Sequence, residues 1–299
     1  MKPADFDLHQ PRTVEEALDL LAEHAAVGKV LAGGQSLVPL LNFRLARPEH
    51  LIDLSKIAAL RSLSRTAGVL SVGAMVTYAQ AQRSPAVTEG APLLSAAIPH
   101  IGHDAIRARG TIGGSVAHGD PAAEVPAVAV ALDAEVIARS VRGTRTIAAA
   151  EFFTGNLMTR LADDELLVEV RFAHATPGTG AAFEEVGRRS GDFALAGAGA
   201  QVRVESGVIA EARLCLTGVA SRPVRISEAE QLLVGAELSA STTERVVDIV
   251  RSRIDPSGDL HAPAEYRRAV AGTLAARALA KASQRATENS SHIYQEASR

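Results

Sequence analysis

The sequence predicts an α+β chain in which two small α/β subdomains precede a separate α+β domain with an antiparallel sheet and helices. Three observations lead to this fold class. The chain has 299 residues, more than one ordinary compact domain. Its first half alternates short apolar strands, glycine turns and helices, as α/β units do. Its second half consists of hairpin-forming strands followed by helices, which is typical of an α+β domain.

Residues 1–60 form the first predicted subdomain. Thr13 to Glu16 match a capping box that opens an amphipathic helix. A buried strand over 30–32 then stops at Gly33-Gly34, a helix follows from about Ser36 to Leu41, and a second strand covers 51–54. Strand, glycine turn, helix and strand in this order indicate an α/β unit.

Residues 61–176 form the second predicted subdomain, which ends at a linker rich in Thr, Pro and Gly over 176–180. We expect strands at 69–72, 135–138 and 166–172, and helices at 93–101 and 121–132. Asp120-Pro121 is a suitable start for the second helix, so Asp120 is expected to cap this helix or to contact a ligand.

Residues 177–283 form the predicted C-terminal domain. Two strands alternate apolar and polar residues on either side of the turn at 205–207, which predicts an antiparallel pair with one solvated face. Helices are expected at 227–233, 242–254 and 263–283, and the polar segment 284–299 is expected to be a disordered tail.

Composition narrows the function classes. Hydrophobic residues make up 47% of the chain, enough for packed cores. The 31 basic and 34 acidic side chains give a net charge of −3, which argues against a nucleic-acid-binding protein. The amino terminus lacks a signal-peptide core, and no apolar run approaches the ~20 residues that span a bilayer. We therefore expect a soluble, cytoplasmic protein with no transmembrane segment.

Two glycine pairs lie beside hydroxyl residues, in segments 32–37 and 110–115. A diphosphate needs several backbone N–H donors aimed at one place, and glycine lets the backbone approach because it has no Cβ. Ser36, Thr111 and Ser115 can add hydroxyl donors, and a helix beginning near Leu37 would aim its positive end at the same anion. Each pair alone is more often a plain tight turn, and neither is a Walker loop or a Gly-x-Gly-x-x-Gly fingerprint.

The two segments together are far more specific. Ala-Gly-Gly-Gln-Ser-Leu, followed later by Gly-Thr-Ile-Gly-Gly-Ser-x-Ala-His-x-Asp-Pro-Ala-Ala-Glu, resembles the FAD-binding (medium) subunit of molybdenum hydroxylases. That family includes aerobic carbon monoxide dehydrogenases and multi-subunit xanthine dehydrogenase-like enzymes. The resemblance covers nearly the whole chain, including residues 188–194 and 264–268, and leaves the carboxyl-terminal tail unmatched.

The resemblance implies a two-subdomain α/β FAD-binding domain (the PCMH / vanillyl-alcohol-oxidase type) followed by a flavoprotein domain. It implies that Glu124 binds the adenosine ribose, that Leu167 packs against the cofactor, and that Asp192 and Phe193 pass the isoalloxazine. The complete implied set of FAD-binding residues is Ala32, Gly33, Gly34, Gln35, Ser36, Leu37, Ile101, Thr111, Ile112, Gly113, Gly114, Ser115, Asp120, Glu124, Leu167, Asp192 and Phe193.

The resemblance further implies an electron-transfer subunit of an oxidoreductase, passing electrons from iron–sulfur clusters on a partner to a terminal acceptor through FAD. The single cysteine, Cys215, cannot supply the about four thiolates of such a cluster. We therefore expect the clusters on a small iron–sulfur subunit and the molybdopterin on a large subunit, in a dimer of heterotrimers. No acid–base residue is nominated as catalytic, because the chemistry belongs to the cofactor.

Two alternatives remain open, and the chain departs from the family pattern at two places. The chain could be a self-sufficient FAD-dependent oxidoreductase of the same fold, or a scaffold that has lost its ligand. Some relatives carry a hydroxyl-bearing aromatic residue where this chain has Phe193, and a lysine where it has Glu184-Glu185. Both changes bear on the flavin potential. No metal site is expected, because His100-x-x-His103 stands without a second pair at ligand spacing.

Overall fold

A computed structural model describes residues 2–297, with side chains described through Ser290, so Met1, Ser298 and Arg299 lie outside the described residues. The first lobe is a three-stranded parallel sheet in the order β1-β3-β2 with two helices. Its elements are β1 (Asp7–His9), α1 (Val14–His24), β2 (Gly28–Leu31), α2 (Leu37–Asn42) and β3 (His50–Asp53).

Local sequence accounts for the elements of the first lobe. The Thr13 hydroxyl accepts a hydrogen bond from the Glu16 N–H at 3.1 Å and so caps α1. The buried side chains of α1, which include Leu18 and Leu21, then pack onto Ile52 in the central strand. Helix α2 has only six residues and follows directly on the first glycine turn.

The second lobe is a five-stranded sheet covered by helices. All neighbouring strands are antiparallel, in the order β4-β5-β10-β6-β7, whereas an α/β unit usually has a parallel sheet. Its strands are β4 (Leu63–Thr66), β5 (Val69–Gly73), β6 (Glu135–Ser140), β7 (Gly143–Ala148) and β10 (Leu166–Ala173), with β8 (Phe153–Gly155) and β9 (Met158–Thr159) as a separate pair. Its helices are α3 (Tyr78–Gln82), α4 (Pro85–Gly90), α5 (Pro92–Ala97), α6 (Asp104–Arg107), α7 (Ile112–His118), α8 (Glu124–Ala131) and α9 (Ala149–Phe152).

The third lobe is a four-stranded antiparallel sheet backed by three helices, in agreement with the predicted C-terminal architecture. Its strands are β11 (Thr179–Val186), β12 (Ala196–Glu205), β13 (Val208–Thr217) and β14 (Val224–Arg225). Its helices are α10 (Ser227–Leu233), α11 (Ala240–Arg253) and α12 (Ala264–Ala297).

Helix α12 corrects the expectation of a disordered tail over 284–299. The helix continues to Ala297, and the last two residues lie outside the described part of the chain. Ala282 and Ala286, one turn apart, are fully buried and extend the apolar stripe beyond the predicted helix end. At Gly180 an added Cβ would lie 2.1 Å from the Ala282 carbonyl oxygen, so the first residues of β11 pack directly against this helix.

The predicted solvated face of the β12–β13 pair is also covered. Cys215 is fully buried and packs in the core of the second lobe together with Phe183. Thr217 is 1% exposed and donates its hydroxyl hydrogen to the Pro121 carbonyl at 2.8 Å. The prediction of a solvated face from the alternation of polar and apolar residues is wrong here, because the core of the second lobe continues onto this face of the third sheet.

Burial also explains why Cys215 is chemically inert. It raises the pKa of the thiol to about 12, so the thiolate is scarce at neutral pH. Within residues 2–297, no helix is both long and apolar enough to cross a bilayer.

Candidate functional site

The first glycine turn presents a row of free backbone donors. It follows β2, and Gly34 holds a left-handed φ of 75°, which glycine adopts without strain. Among residues 2–297, the N–H groups of Gly34, Gln35, Ser36 and Leu37 have no hydrogen-bond partner. The Gln35 side chain donates to the Gly33 carbonyl at 3.1 Å, which keeps the turn closed. The Ser36 hydroxyl makes no capping bond, so it too is available to a ligand.

The second glycine pair has a different local structure from the predicted loop. Gly113 and Gly114 lie in the first turn of α7, capped by Thr111, whose hydroxyl oxygen accepts from the Gly114 N–H at 3.0 Å. The Gly113 N–H donates to the Ala74 carbonyl at 3.1 Å, and the Ile112 N–H to the Val76 carbonyl at 3.0 Å. These amides therefore already have acceptors in the neighbouring chain, and the prediction that residues 111–115 bind the cofactor stays a prediction.

The two glycine segments are in direct contact. A Cβ on Gly33 would lie 2.3 Å from the Arg109 carbonyl oxygen and 2.8 Å from the Gly110 Cα. A Cβ on Gly114 would lie 3.3 Å from the Ala32 Cβ. The sequence prediction that the two segments meet at one place in the fold agrees with this geometry, and glycine at position 33 permits the approach.

Hydroxyl groups and an arginine line the junction on the side of the second segment. Thr111 is 2% exposed, and its hydroxyl hydrogen remains free to donate after the oxygen has accepted the capping bond. Burial raises the pKa of Tyr78 to about 12, and its hydroxyl hydrogen-bonds with the Ser115 side chain. Arg109 is exposed beside the junction. Arg107 instead donates to the Ile101 carbonyl at 2.9 Å and to the Gly102 carbonyl at 3.0 Å.

A pair of buried carboxyl groups lies just beyond α7. Burial, reinforced by the neighbouring Glu124 carboxyl, raises the pKa of Glu185 to about 8. Burial likewise raises the pKa of Glu124 to about 7, and the charge of Asp120 acts in the same direction. Burial and the neighbouring carboxyl both favour the neutral form of each group, so at neutral pH the pair retains a proton. Asp120 accepts from the Ala122 N–H at 2.8 Å and closes the turn before α8 rather than capping this helix.

The two adjacent glutamates of β11 have different environments. Glu184 forms a surface ion pair with Lys281 at 2.5 Å. Glu185 faces inward, with a side chain 11% exposed and 3.8 Å from the His100 Nδ1. Burial lowers the pKa of His100, which keeps this imidazole neutral beside the carboxyl pair. The sequence offers no signal for this pairing, because Glu124 and Glu185 come from different lobes.

The remaining predicted residues differ in their exposure. Ile101 and Leu167 are buried in the core of the second lobe, 8% and 3% exposed. Phe193 is 66% exposed on the loop between β11 and β12. The same loop carries Asp192, whose carboxylate lies 3.2 Å from Arg188.

That loop is held close to the segment that contains Ile101. A Cβ on Gly191 would lie 2.3 Å from the His103 ring, so the loop packs on this imidazole. The loop that carries the exposed Phe193 therefore lies against His103, two residues after Ile101.

The arrangement fits a dinucleotide cofactor. Four consecutive free N–H groups can donate to the oxygens of a phosphate. Glycine at position 33 lets the two segments approach each other closely there. Buried carboxyls can accept from sugar hydroxyls, and an exposed aromatic ring can stack on a planar ring system. Fold and site together define a protein of the dinucleotide-binding class.

Comparison with protein families makes this class specific. Residues 4–174 match the FAD binding domain in molybdopterin dehydrogenase. Residues 181–282 match the CO dehydrogenase flavoprotein C-terminal domain. The chain belongs to the FAD-binding subunits of the molybdopterin dehydrogenases, as the sequence resemblance indicated, and its cofactor is FAD.

Individual relatives are similar along nearly their whole length. The 6-hydroxypseudooxynicotine dehydrogenase complex subunit alpha of Paenarthrobacter nicotinovorans is 40% identical, over 96% of this chain and 97% of the relative. The carbon monoxide dehydrogenase medium chain of Hydrogenophaga pseudoflava is 36% identical, over 93% of this chain and 97% of the relative.

Solved structures agree with this assignment. A carbon monoxide dehydrogenase from Hydrogenophaga pseudoflava that lacks the Mo-pyranopterin moiety superposes with a TM-score of 0.93 at 38% identity, over 95% of this chain and 99% of that chain. Quinoline 2-oxidoreductase from Pseudomonas putida 86 gives a TM-score of 0.91 at 35% identity, over 96% and 99%. The predicted fold class and the prediction of an oxidoreductase component are confirmed.

Proposed function

We propose that this chain is the FAD-carrying electron-transfer subunit of a multi-subunit molybdenum-containing hydroxylase or dehydrogenase. In this function it takes electrons from iron–sulfur clusters on a partner and passes them to a terminal acceptor. The observation that carries the proposal is the direct contact of the two glycine segments beside a row of unpaired N–H groups. Bound FAD supplies redox chemistry in which electrons are accepted and released singly or in pairs.

We assign separate tasks to the residues of the site. The N–H groups of residues 34–37 and the Ser36 hydroxyl bind the diphosphate, and the Thr111 hydroxyl donates from the opposite side. Glu124 accepts from ribose hydroxyls, because it lies buried at the start of α8, shortly after the second segment, and a carboxylate can accept from two hydroxyls. Phe193 stacks on the flavin ring but cannot donate a hydrogen bond to it.

The partners follow from what this chain lacks. One buried cysteine cannot ligate an iron–sulfur cluster, so a small subunit holds the clusters and a large subunit holds molybdopterin. Two of the relatives are named as a medium chain and as a subunit of a complex, which supports an assembly of this kind. We expect the assembly to be a dimer of heterotrimers.

A matched pair of glycine variants tests the cofactor assignment. Gly34→Ala and Gly207→Ala both place alanine at a positive φ, 75° and 85°, at a similar backbone cost of about 1 kcal/mol. Only Gly34→Ala strains the turn whose amides face the diphosphate, so it should lower FAD affinity about tenfold or more. Titration of each FAD-stripped variant with FAD, followed by flavin fluorescence, measures the two affinities. Equal affinities in the two variants would contradict the assignment.

Purification from the native host tests the partner assignment. Affinity capture of this chain should recover two other polypeptides, with iron and molybdenum in the eluate by mass spectrometry of the metals. Capture of the chain alone, with FAD and without either metal, would favour the self-sufficient flavoenzyme instead.

A further inference from the structure

Three histidines from separate elements meet at one end of the first lobe. His9 ends β1, His24 ends α1 and His50 begins β3. Their nearest ligand nitrogens all lie within 4.8 Å of one another. The His9 Nε2 lies 3.1 Å from the His50 Nδ1, and the His24 ring stacks on the His50 ring with centroids 3.8 Å apart.

The backbone holds these three side chains in place. Parallel pairing of β1 with β3 sets Asp7 opposite His50 and carries His9 past it. At Gly28 an added Cβ would lie 2.9 Å from the His24 carbonyl oxygen, so the end of α1 is pressed against the start of β2. The Val27 N–H also donates to that carbonyl at 3.0 Å. The cluster is therefore fixed by the fold and does not depend on a mobile loop.

The donor set suits a late first-row divalent metal ion. Neutral imidazole is a preferred ligand of Zn²⁺, with Zn–N of about 2.0–2.1 Å, so the nitrogens of a tetrahedral site lie roughly 3.3 Å apart. His9 and His50 already have about this separation, and the nearest ligand nitrogen of His24 lies within 4.8 Å of theirs. The side chains of His24 and His50 are 16% and 19% exposed, so an ion can reach them from solvent.

Nearby carboxylates can complete the coordination. The Asp7 Oδ2 lies 3.8 Å from the His50 Nδ1, and the Asp7 side chain is 80% exposed and free to turn inward. The Glu23 Oε1 lies 3.9 Å from the His24 Nε2 and can orient that ring. The set thus contains three nitrogens and one oxygen, with water as the alternative fourth ligand.

We propose that His9, His24 and His50 form a Zn²⁺-binding site that ties together the ends of β1, α1 and β3. Sequence reasoning could not find it, because the three residues have no metal-ligand spacing and meet only through the parallel sheet. The competing interpretation is a metal-free imidazole stack held by the hydrogen bond between His9 and His50.

The site is independent of the flavin site. It lies at the amino ends of β2 and β3, whereas the first glycine turn follows the carboxyl end of β2. The four residues of β2 separate the two ends by ~13 Å at ~3.3 Å per residue. Failure of one assignment therefore leaves the other standing.

Zinc titration of the full-length, untagged, EDTA-treated chain tests the proposal by calorimetry. We expect one Zn²⁺ per chain, and affinity lower by about tenfold or more in His24→Gln and in His9→Gln. His261→Gln is the matched control, since this histidine contacts Arg188 on the surface, and it should bind Zn²⁺ as the parent does.

A thermal shift provides the second readout. Saturating Zn²⁺ should raise the melting temperature of the parent by about 5 °C and leave His24→Gln unchanged. FAD content should be equal in all variants, which separates this test from that of the flavin site. Zinc affinity and melting temperature that do not differ between the parent and His24→Gln would overturn the proposal in favour of the metal-free stack.

Discussion

The two glycine segments are alike in sequence but have different structural roles. In the first, Gly34 bends the chain through a positive φ and leaves four successive N–H groups unpaired among the described residues. In the second, Gly113 lies within a helix, where an added Cβ would lie 2.5 Å from the Ala74 Cα, and its N–H is already bonded. The first glycine pair thus provides donors, and the second provides close packing.

The difference shows that a glycine pair in a sequence does not by itself indicate whether it offers free amides to a ligand or allows close packing. Both segments lie beside a hydroxyl residue. The Thr111 oxygen accepts the hydrogen bond that caps α7, whereas Ser36 makes no capping bond. What distinguishes them is the neighbouring chain. The carbonyls of Ala74 and Val76 reach the second segment, and no carbonyl among the described residues reaches the free amides of the first.

The largest expected effect is a loss of stability when Gly113 is substituted. Gly113→Ala forces a methyl group against Ala74 backbone atoms at 2.5 Å, and backbone cannot move aside as a flexible side chain can. We expect a loss of about 3 kcal/mol or more in the free energy of unfolding, measured by urea denaturation monitored by circular dichroism. A loss below about 1 kcal/mol would show that α7 does not need this contact.

The next effect concerns the buried carboxyls beside the second segment. Because the pKa of Glu185 is raised from 4.5 to about 8, the folded chain keeps a proton that the unfolded chain releases. This contribution is fully present below the unfolded pKa and is lost as pH rises from about 4.5 to about 8. Glu185→Gln replaces the titrating carboxyl with a neutral amide of similar shape, so it should be more stable than the parent at pH 8 by about 2 kcal/mol.

Glu184→Gln is the control for this prediction. It removes an ion pair with Lys281, worth about 1 kcal/mol at most, and leaves both buried carboxyls in place, so its effect should change much less between pH 5 and pH 8 than that of Glu185→Gln. Denaturation of both variants at several pH values measures the difference. Parallel pH profiles for Glu185→Gln and the parent would mean that the carboxyl pair holds no extra proton.

The smallest effect on the fold is expected at Ser36. Its hydroxyl caps nothing, so Ser36→Ala should leave the free energy of unfolding within about 0.5 kcal/mol of the parent. It should weaken FAD binding by about 1.5–3 kcal/mol, the value of a hydrogen bond to a charged group. Thr111→Ala should differ by also costing about 1 kcal/mol of stability through the lost cap. A stability loss in Ser36→Ala equal to that in Thr111→Ala would remove the distinction between the segments.

Local signals predicted much of the fold. The capping box at Thr13 predicted α1, and alternation in residues 202–217 predicted the β12–β13 hairpin. Helix α7 was missed, because two adjacent glycines disfavour a helix and only the contact with Ala74 explains them. The continuation of α12 was missed for a similar reason, since the contact of Ala286 with β11 is tertiary.

The residues of the candidate site were predictable from the sequence, but the contacts between them were not. Order and composition of the glycine segments indicated that they meet, and Gly33 lies against Gly110 in the structure. The pairing of Glu124 with Glu185, the bond between Tyr78 and Ser115, and the histidine cluster all join residues from distant parts of the chain. No local pattern encodes such contacts, because they depend on how the lobes pack.

Hydrogen–deuterium exchange tests the central claim most directly, by comparing the FAD-stripped chain with the FAD-loaded chain. The amides of residues 34–37 should exchange fast without FAD and slowly with it, because the diphosphate becomes their acceptor. The amides of residues 112–115 should be protected in both states, because protein carbonyls and the Thr111 hydroxyl already accept from them. Protection by FAD that appears only at residues 112–115, with residues 34–37 unchanged, would contradict the account.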